Sequence, residues 1–315
     1  MRISAVICTF RQPETLRAAI ESLTAQSLSP NLYEIIVVDN NSQDETVKIV
    51  QDYIQKYDSR IKYVLERRQG LSYARNAGVN LASGDIIAFL DDDAVADPDW
   101  LTALLEVYDS VRDAWAVGGK VLPLWDGERP KWLEDTMLRS LSIVEWGNKR
   151  RPLKWPERII GTNCSFRNLV FSEIGLFDTN LGRRATLLLG NEDTEIQERI
   201  HNLGKLVFYT PEAVVYHHIR CERMTKKYFY RRAYGTGRSE AILGARQGSC
   251  YAVLRRALKI CFLLPKQYLC LMLTIIMRRR DRFHRLQGIA YNFGIVYQTI
   301  CLLLLRKDCE SETVR

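Results

Sequence analysis

The chain has eight cysteines in 315 residues but no C-x-x-C pair, and only four histidines, which argues against a zinc site of the usual spacing. Six of those cysteines lie beyond residue 220, and the set as a whole fits thiols in a reducing cytoplasm. Cys8 sits inside an apolar run and reads as a small core hydrophobe. The opening MRISAVICTF is too short an apolar stretch for a signal peptide and leads straight into a turn, so it reads as a first buried strand. No internal repeat is visible, and no stretch is biased enough in composition to read as disordered.

What is present is an ordinary globular core, with 47% hydrophobic residues, and an uneven charge. Residues 220–315 hold 20 Lys and Arg against 6 Asp and Glu, a net of +14, which leaves −6 for residues 1–219 of the total +8. A basic tail of this kind is either a solvated helical surface or a surface for anionic lipid or nucleic acid. Lipid is favoured over nucleic acid because the tail is also the most continuously apolar part of the chain.

Short β-branched runs at 3–8, 34–38, 61–65 and 85–90 read as strands. Between them, helical spacing runs over 14–27 (through Leu16, Ile20, Leu23 and Gln26), 43–57 and 71–82. That alternation predicts a parallel sheet covered on both faces, with ligands at the carboxyl ends of its strands. Polar clusters fall at those ends: Thr9–Arg11, Asp39–Ser42 and Asp91–Asp93. The region 115–220 is less regular and holds Trp115, Trp125, Trp132, Trp146 and Trp155. Trp132 and Trp155 could stack on sugar faces, but core packing is the better default.

Three constellations carry chemistry. The first is FLDDDA at 89–94, where consecutive carboxylates repel unless a hard divalent cation compensates them; such a cation also bridges to a diphosphate. An acidic, solvated turn is the plainer alternative. The second is Gly190-Asn191-Glu192-Asp193, opening a helix through Ile196 and Ile200, where acids also suit the helix dipole. The third is Val215-Tyr216-His217-His218, followed by Arg223. A histidine after a strand can complete a metal shell or contact phosphate, or be a satisfied structural residue.

The segments VICTFRQPETLRAAIESLTAQ, EIIVVDNNSQDET, GLSYARNAGVNLASGDIIAFLDDDA and GNEDTEIQERI, taken in order, resemble the successive signatures of family-2 glycosyltransferases. The resemblance covers roughly residues 3–240. It implies an α/β GT-A fold (a Rossmann-like nucleotide-diphospho-sugar transferase), Mn²⁺ or Mg²⁺, and transfer with inversion. Carried over by position, Asp39 would recognise the nucleobase, with Thr9 and Phe10 lining its pocket; a carboxylate can accept the N–H of a uracil ring. Capping of a turn after the strand is the plainer role for Asp39. Arg75 and Asn76 would lie beside the nucleotide, Asp91 at the ribose or metal, Asp92 among the donor-binding residues, and Asp93 would be the principal metal ligand, with His217 preferred to His218. Asp193 would be the base, Glu192 would orient the acceptor or tune Asp193, Arg223 would contact diphosphate, and Asn163 in GTNCSFR would lie near the donor sugar. The family often reads T-Y-N-R-P where this chain has Thr9-Phe10-Arg11-Gln12-Pro13, so the displaced Arg11 takes no role by position. The Q-x-x-R-W of processive synthases is missing, which favours addition of one sugar.

The expected organisation is a catalytic domain over 1–220, with the nucleotide-sugar side in 1–100 and the acceptor side in 101–220, followed by a basic helical tail over 221–315. The apolar stretch 260–277 is interrupted by Pro265, Lys266 and Gln267 and flanked by positive charge at both ends, including Arg278–Arg280; a second stretch covers 289–305. Positive charge on both sides disfavours a single crossing. An interfacial helix pair or a hairpin on the cytosolic face of a membrane fits better, and a helical subdomain packed on the core is the alternative. The expected partners are a nucleotide-sugar donor, by default UDP-linked, a glycan or lipid-linked glycan acceptor, and an anionic membrane surface. A sugar nucleotidyltransferase is the competing enzyme, but its phosphate loop needs glycine and CTFRQPE has none. A non-catalytic glycan- or nucleic-acid-binding protein would have no use for Asp39, Asp93 and Asp193 together.

Overall fold

The structure is a computed structural model that describes residues 1–57, 60–185, 187–247, 250–276 and 282–312. It divides into two compact units, Met1–Thr179 with Glu192–Cys221, and Asn180–Asn191 with Glu222–Arg315.

In the first unit, β1 (Ile3–Thr9), β2 (Tyr33–Asp39), β3 (Ile61–Leu65) and β4 (Ile86–Asp91) pair in parallel in the order β3-β2-β1-β4. β2 is buried along its whole length and β1 nearly so, as expected of central strands covered on both faces. Alternation along them feeds two cores. Ile3, Ala5, Ile7, Ile35 and Val37 face one side, and Val6, Ile36 and Val38 the other. The first core is closed by α1 (Pro13–Thr24), α2 (Thr46–Tyr57) and α4 (Trp100–Ser110). Pro13 starts α1, where its missing N–H costs nothing, and Leu16, Ala19, Ile20 and Leu23 form its buried stripe.

The second core lies under α3 (Leu71–Leu81). Gly78 lets that helix sit close on the sheet, since a Cβ there would stand 2.5 Å from Val6 Cγ1. Further along this core, Phe89, Phe166, Phe171 and Phe177 pack as a cluster of largely edge-on rings.

The sheet is not parallel throughout. β9 (Asn163–Arg167) runs antiparallel between β4 and β6 (Ala114–Gly118); β10 (Leu206–Tyr209) is parallel to β6; the short β8 (Arg151–Pro152) closes the edge antiparallel to β10. The chain reaches β9 through a long irregular connection instead of a crossover helix, so β9 enters from the opposite end. β5 (Ala94–Ala96), β7 (Val121–Trp125) and β11 (Val215–Ile219) make a second, three-stranded sheet with β11 in the middle. α5 (Leu169–Ile174) and α6 (Glu192–Asn202) complete the unit; Ile196 and Ile200 of α6 are fully buried.

The second unit is helical: α7 (Lys226–Gln247), α8 (Cys250–Ile276) and α9 (Arg282–Glu312). α7 and α9 lie in close contact through glycines: a Cβ on Gly237 would collide with the Tyr291 carbonyl, and one on Gly294 with that of Tyr234. α8 continues through Pro265, so this residue does not end the helix. Segment Arg282–Leu304 is long and apolar enough to cross a membrane by length and composition, and Phe293, Tyr297, Ile300 and Leu304 are exposed on it. Arg278–Arg280 lie outside the described residues.

Candidate active site

The parallel register puts Thr9 beside Asp39 and Cys8 beside Asp91, which gathers the three loops at one edge of the sheet. Among the described non-glycine residues with positive φ, Arg11, Asn41 and Gln43 all lie in two of these loops. Left-handed backbone at such residues is uncommon, and it is concentrated here at the strand ends. Arg11 joins these loops, since its backbone N–H donates to Ser42 Oγ at 3.1 Å and its Nε to the Ser42 carbonyl at 3.3 Å. Asp39 is buried; its Oδ1 accepts the Ser42 N–H at 2.8 Å, and its Oδ2 accepts the Tyr63 hydroxyl at 3.0 Å. The turn-capping role is therefore real, and each carboxylate oxygen still has lone-pair capacity for another donor. Burial and the Asp39 charge push the Tyr63 phenol upward. Tyr63 carried no motif in the sequence.

The three consecutive aspartates have different surroundings. Asp91 accepts the Thr162 hydroxyl at 2.6 Å and stands 3.7 Å from Arg75 Nη2. Asp92 accepts the Phe10 backbone N–H at 3.2 Å, and its acid is pushed up to about 8 by burial and then by Asp93. Asp93 is buried, and its Oδ1 lies 3.2 Å from His217 Nε2. His217 lies in β11 with its Nδ1 2.9 Å from the Leu141 carbonyl. A carbonyl only accepts, so Nδ1 donates to it, and Nε2 is the nitrogen that faces Asp93.

Ligand atoms of Asp91, Asp93 and His217 all fall within 4.8 Å of one another. Two carboxylates and one imidazole, each held by a neighbour, suit Mn²⁺ or Mg²⁺. The residues present fit a divalent ion.

Arg75 is almost fully buried beneath this cluster. It pairs with Glu192 at 2.9 Å, donates to the Gly161 carbonyl at 3.2 Å, and stacks at about 5.5 Å over Phe89 and Phe177. Burial opposes its charge, but Glu192, Cys164, Asp91 and Asp193 outweigh burial and raise its pKa. The N–H of the same residue, Gly161, donates to Asp193 Oδ2 at 2.8 Å, while Asp193 Oδ1 accepts the Thr194 N–H at 2.8 Å. The backbone of one residue thus connects Arg75, which holds Glu192, to Asp193. A side chain at Gly161 would collide with Arg75.

Other residues singled out in the sequence hold the scaffold. The Asn76 amide is bonded to both backbone groups of Phe177 at 2.9 Å. The Asn163 amide accepts Trp100 Nε1 at 2.9 Å and donates to the carbonyls of Lys120 and Ala213. In the GTN segment it is Gly161 and Thr162 that touch the acidic groups. Thr9 is buried, and its carbonyl accepts the Asn40 N–H at 2.9 Å. Arg223 belongs to the second unit, in the turn Cys221–Met224. Trp155, assigned to the core by default, is instead 52% exposed and lines an open groove of about 650 Å³ with Arg151, Lys154 and Glu157. An isolated tryptophan carries no periodicity that would settle its burial.

Comparison with known proteins agrees with this arrangement. The pattern of the family described as Glycosyl transferase family 2 matches residues 4–175. The chain is 32% identical over 246 residues, 77% of each protein, to a glucosyl-dolichyl phosphate glucuronosyltransferase of Haloferax volcanii. It is 28% identical over 291 residues to the succinoglycan biosynthesis protein ExoM of Rhizobium meliloti, covering 90% of this chain and 88% of that one. Among solved structures, a mannosyltransferase from Pyrobaculum calidifontis in complex with GDP-Man and Mn²⁺ superposes with a TM-score of 0.63 at 18% identity, over 95% of this chain and 87% of the other.

Proposed function

This chain belongs to glycosyl transferase family 2 and transfers a sugar from a nucleotide-sugar, and from that premise we propose that it adds one sugar, with inversion and with the help of Mn²⁺ or Mg²⁺, to a hydroxyl of a lipid-linked glycan. The observation that carries this reading is the Asp91–Asp93–His217 cluster at the sheet edge, in the same unit as the Asp193 carboxylate. Lipid-linked and polysaccharide acceptors are suggested by the names of the two relatives.

In this proposal Asp39 accepts the N–H of a uracil ring, with Thr9 and Phe10 lining the base pocket and Asp92 holding the Phe10 backbone. Asp93, Asp91 and His217 would hold the divalent ion, which would supply positive charge against the departing diphosphate. Asp193 accepts the proton of the acceptor hydroxyl as that oxygen attacks the anomeric carbon and the carbon–diphosphate bond breaks. Its two oxygens are aimed by the Gly161 and Thr194 N–H groups. Glu192 acts through Arg75, which it anchors. The test is donor hydrolysis and Mn²⁺ binding in wild type and Asp93→Ala, with and without chelator. Unchanged Mn²⁺ affinity and turnover in the variant would sink the metal assignment.

Residues 1–220 are the catalytic portion in this reading, and the basic tail sets the location. Each Lys or Arg near anionic lipid is worth about 1 kcal/mol, and the exposed apolar residues of α9 add insertion. The tail rests on the cytosolic face of a membrane, where nucleotide-sugars and a lipid-carried acceptor meet. In flotation with anionic vesicles the full-length protein should rise; a protein left at the bottom refutes this placement.

A further inference from the structure

The turn of helix over Asp135–Leu141 does two things at once. Leu141 holds His217, and two residues earlier Arg139 carries a guanidinium whose Nε and Nη2 are closed off from solvent without an acceptor. Arg139 lies 5.2 Å over the Trp146 ring, and Trp146 Nε1 donates to the Arg158 carbonyl at 3.1 Å. Among the described residues neither Arg139 nor Arg158 makes an ion pair. Partial burial and the nearby Arg158 charge both lower the Arg139 pKa, and Asp193 is the group that opposes them. A structural arginine normally has its donors satisfied; this one is held beside a like charge with donors unused.

The position of this pair matters. The backbone that follows Arg158 is fastened to the Asp193 segment, because Gln197 bonds both backbone groups of Ile159 and the Asp193 carbonyl. Gly161, three residues after Arg158, donates to the Asp193 carboxylate. We propose that Arg139 and Arg158 form an anion-binding subsite beside Asp193, which takes a phosphate or carboxylate carried by the acceptor. The subsite rests on the reading above that Asp193 faces the acceptor. A planar guanidinium fork matches a two-oxygen anion, and the anion supplies both the missing acceptors and the compensating charge. The groove at Trp155 continues from the same segment, with the Arg158 guanidinium 6.0 Å from the Trp155 ring, and offers an aromatic face for the acceptor sugar.

The test uses the full-length protein, chelator-treated and at constant ionic strength, titrated with inorganic phosphate by calorimetry. Wild type should bind phosphate saturably, and Arg139→Met and Arg158→Met should each weaken it tenfold or more. Affinity for UDP with Mn²⁺ should change less than twofold in either variant. Phosphate should still bind when UDP and Mn²⁺ are saturating. Displacement by UDP would mean that the two arginines serve the donor diphosphate, and would overturn the acceptor assignment. Equal phosphate affinity in wild type and both variants would overturn the subsite itself. Without phosphate, Arg139→Met should melt no lower than wild type, since it removes a like-charge contact; a large fall would mark Arg139 as a packing residue and refute the proposal. If UDP and Mn²⁺ fail to bind while phosphate binding is lost in the variants, the subsite stands and the donor reading fails.

Discussion

Removing the Glu192 carboxylate should destabilise the protein through Arg75 before it affects any chemistry. Glu192→Gln keeps the side-chain shape and one acceptor oxygen but leaves the Arg75 guanidinium, 2% exposed, with Asp91 at 3.7 Å as its remaining ion-pair partner. At an effective dielectric constant of about 20, a pair at 2.9 Å is worth on the order of 6 kcal/mol before desolvation and relaxation. Breaking a buried pair on one side typically costs about 3–5 kcal/mol. The retained amide oxygen and the two aromatic faces put this case near 3 kcal/mol. That is a large share of a domain stability of about 5–15 kcal/mol, yet it leaves the protein folded. Urea unfolding of the chelator-treated protein, followed by circular dichroism, measures the loss. Arg75→Met with Glu192→Gln should lose less than the sum of the two single variants, by about 2 kcal/mol. A Glu192→Gln variant within 1 kcal/mol of wild type, with additive behaviour in the double variant, would show that Arg75 does not depend on Glu192. Glu192 would then be free to act directly on the acceptor.

Asp193→Asn should bind UDP and Mn²⁺ with the wild-type affinity but transfer about 10²–10⁴-fold more slowly, because the amide cannot take the proton; stopped-assay turnover against titrated nucleotide separates the two. Glu34 is buried in β2, where burial works to raise its pKa but Lys62 at 2.6 Å, with donors from Ser4 and Ser83, reverses this and holds it down to about 2. Its folded pKa lies below its unfolded value near 4.3, so its contribution, at most about 3 kcal/mol, is present above pH ~4.5 and fades as pH falls toward 2. Glu34→Gln should therefore lower the melting temperature at pH 7 and flatten its acid dependence between about pH 4.5 and 2; parallel wild-type and variant curves would refute the assignment.

The strands of the front half were legible because burial on both faces leaves continuous β-branched runs, and β1 to β4 fall within a residue or so of the expected spans. Helix ends were less legible, since side chains set them. α2 begins at Thr46, not 43, because Asn41 and Gln43 adopt left-handed backbone and Asp44 caps the Thr46 N–H at 2.9 Å. α1 stops at Thr24, and Gln26, which fits its stripe, instead turns to bond Ser22, Asp97 and Leu101. The direction of β9 could not be read, because periodicity is the same for parallel and antiparallel strands. Arg75 stands 3.7 Å from Asp91. Its pairing with Glu192, 117 residues away, depends on the close seat of α3 at Gly78, which no local pattern encodes. Arg139 belongs to no motif, and only its unused donors reveal it.

The acidic run shows the same division at the scale of three residues. As sequence, Asp91-Asp92-Asp93 is one cluster whose repulsion requires a cation. As structure, only Asp91 belongs to β4; Asp92 and Asp93 lie in the turn that follows, where the first and third carboxylates reach His217 while the second meets the Phe10 amide. Asp92 is then a structural anchor for the Phe10 backbone, and its raised acid comes from burial and from its neighbours' charge. A divalent ion held by Asp91 and Asp93 would withdraw that charge and lower the Asp92 pKa again.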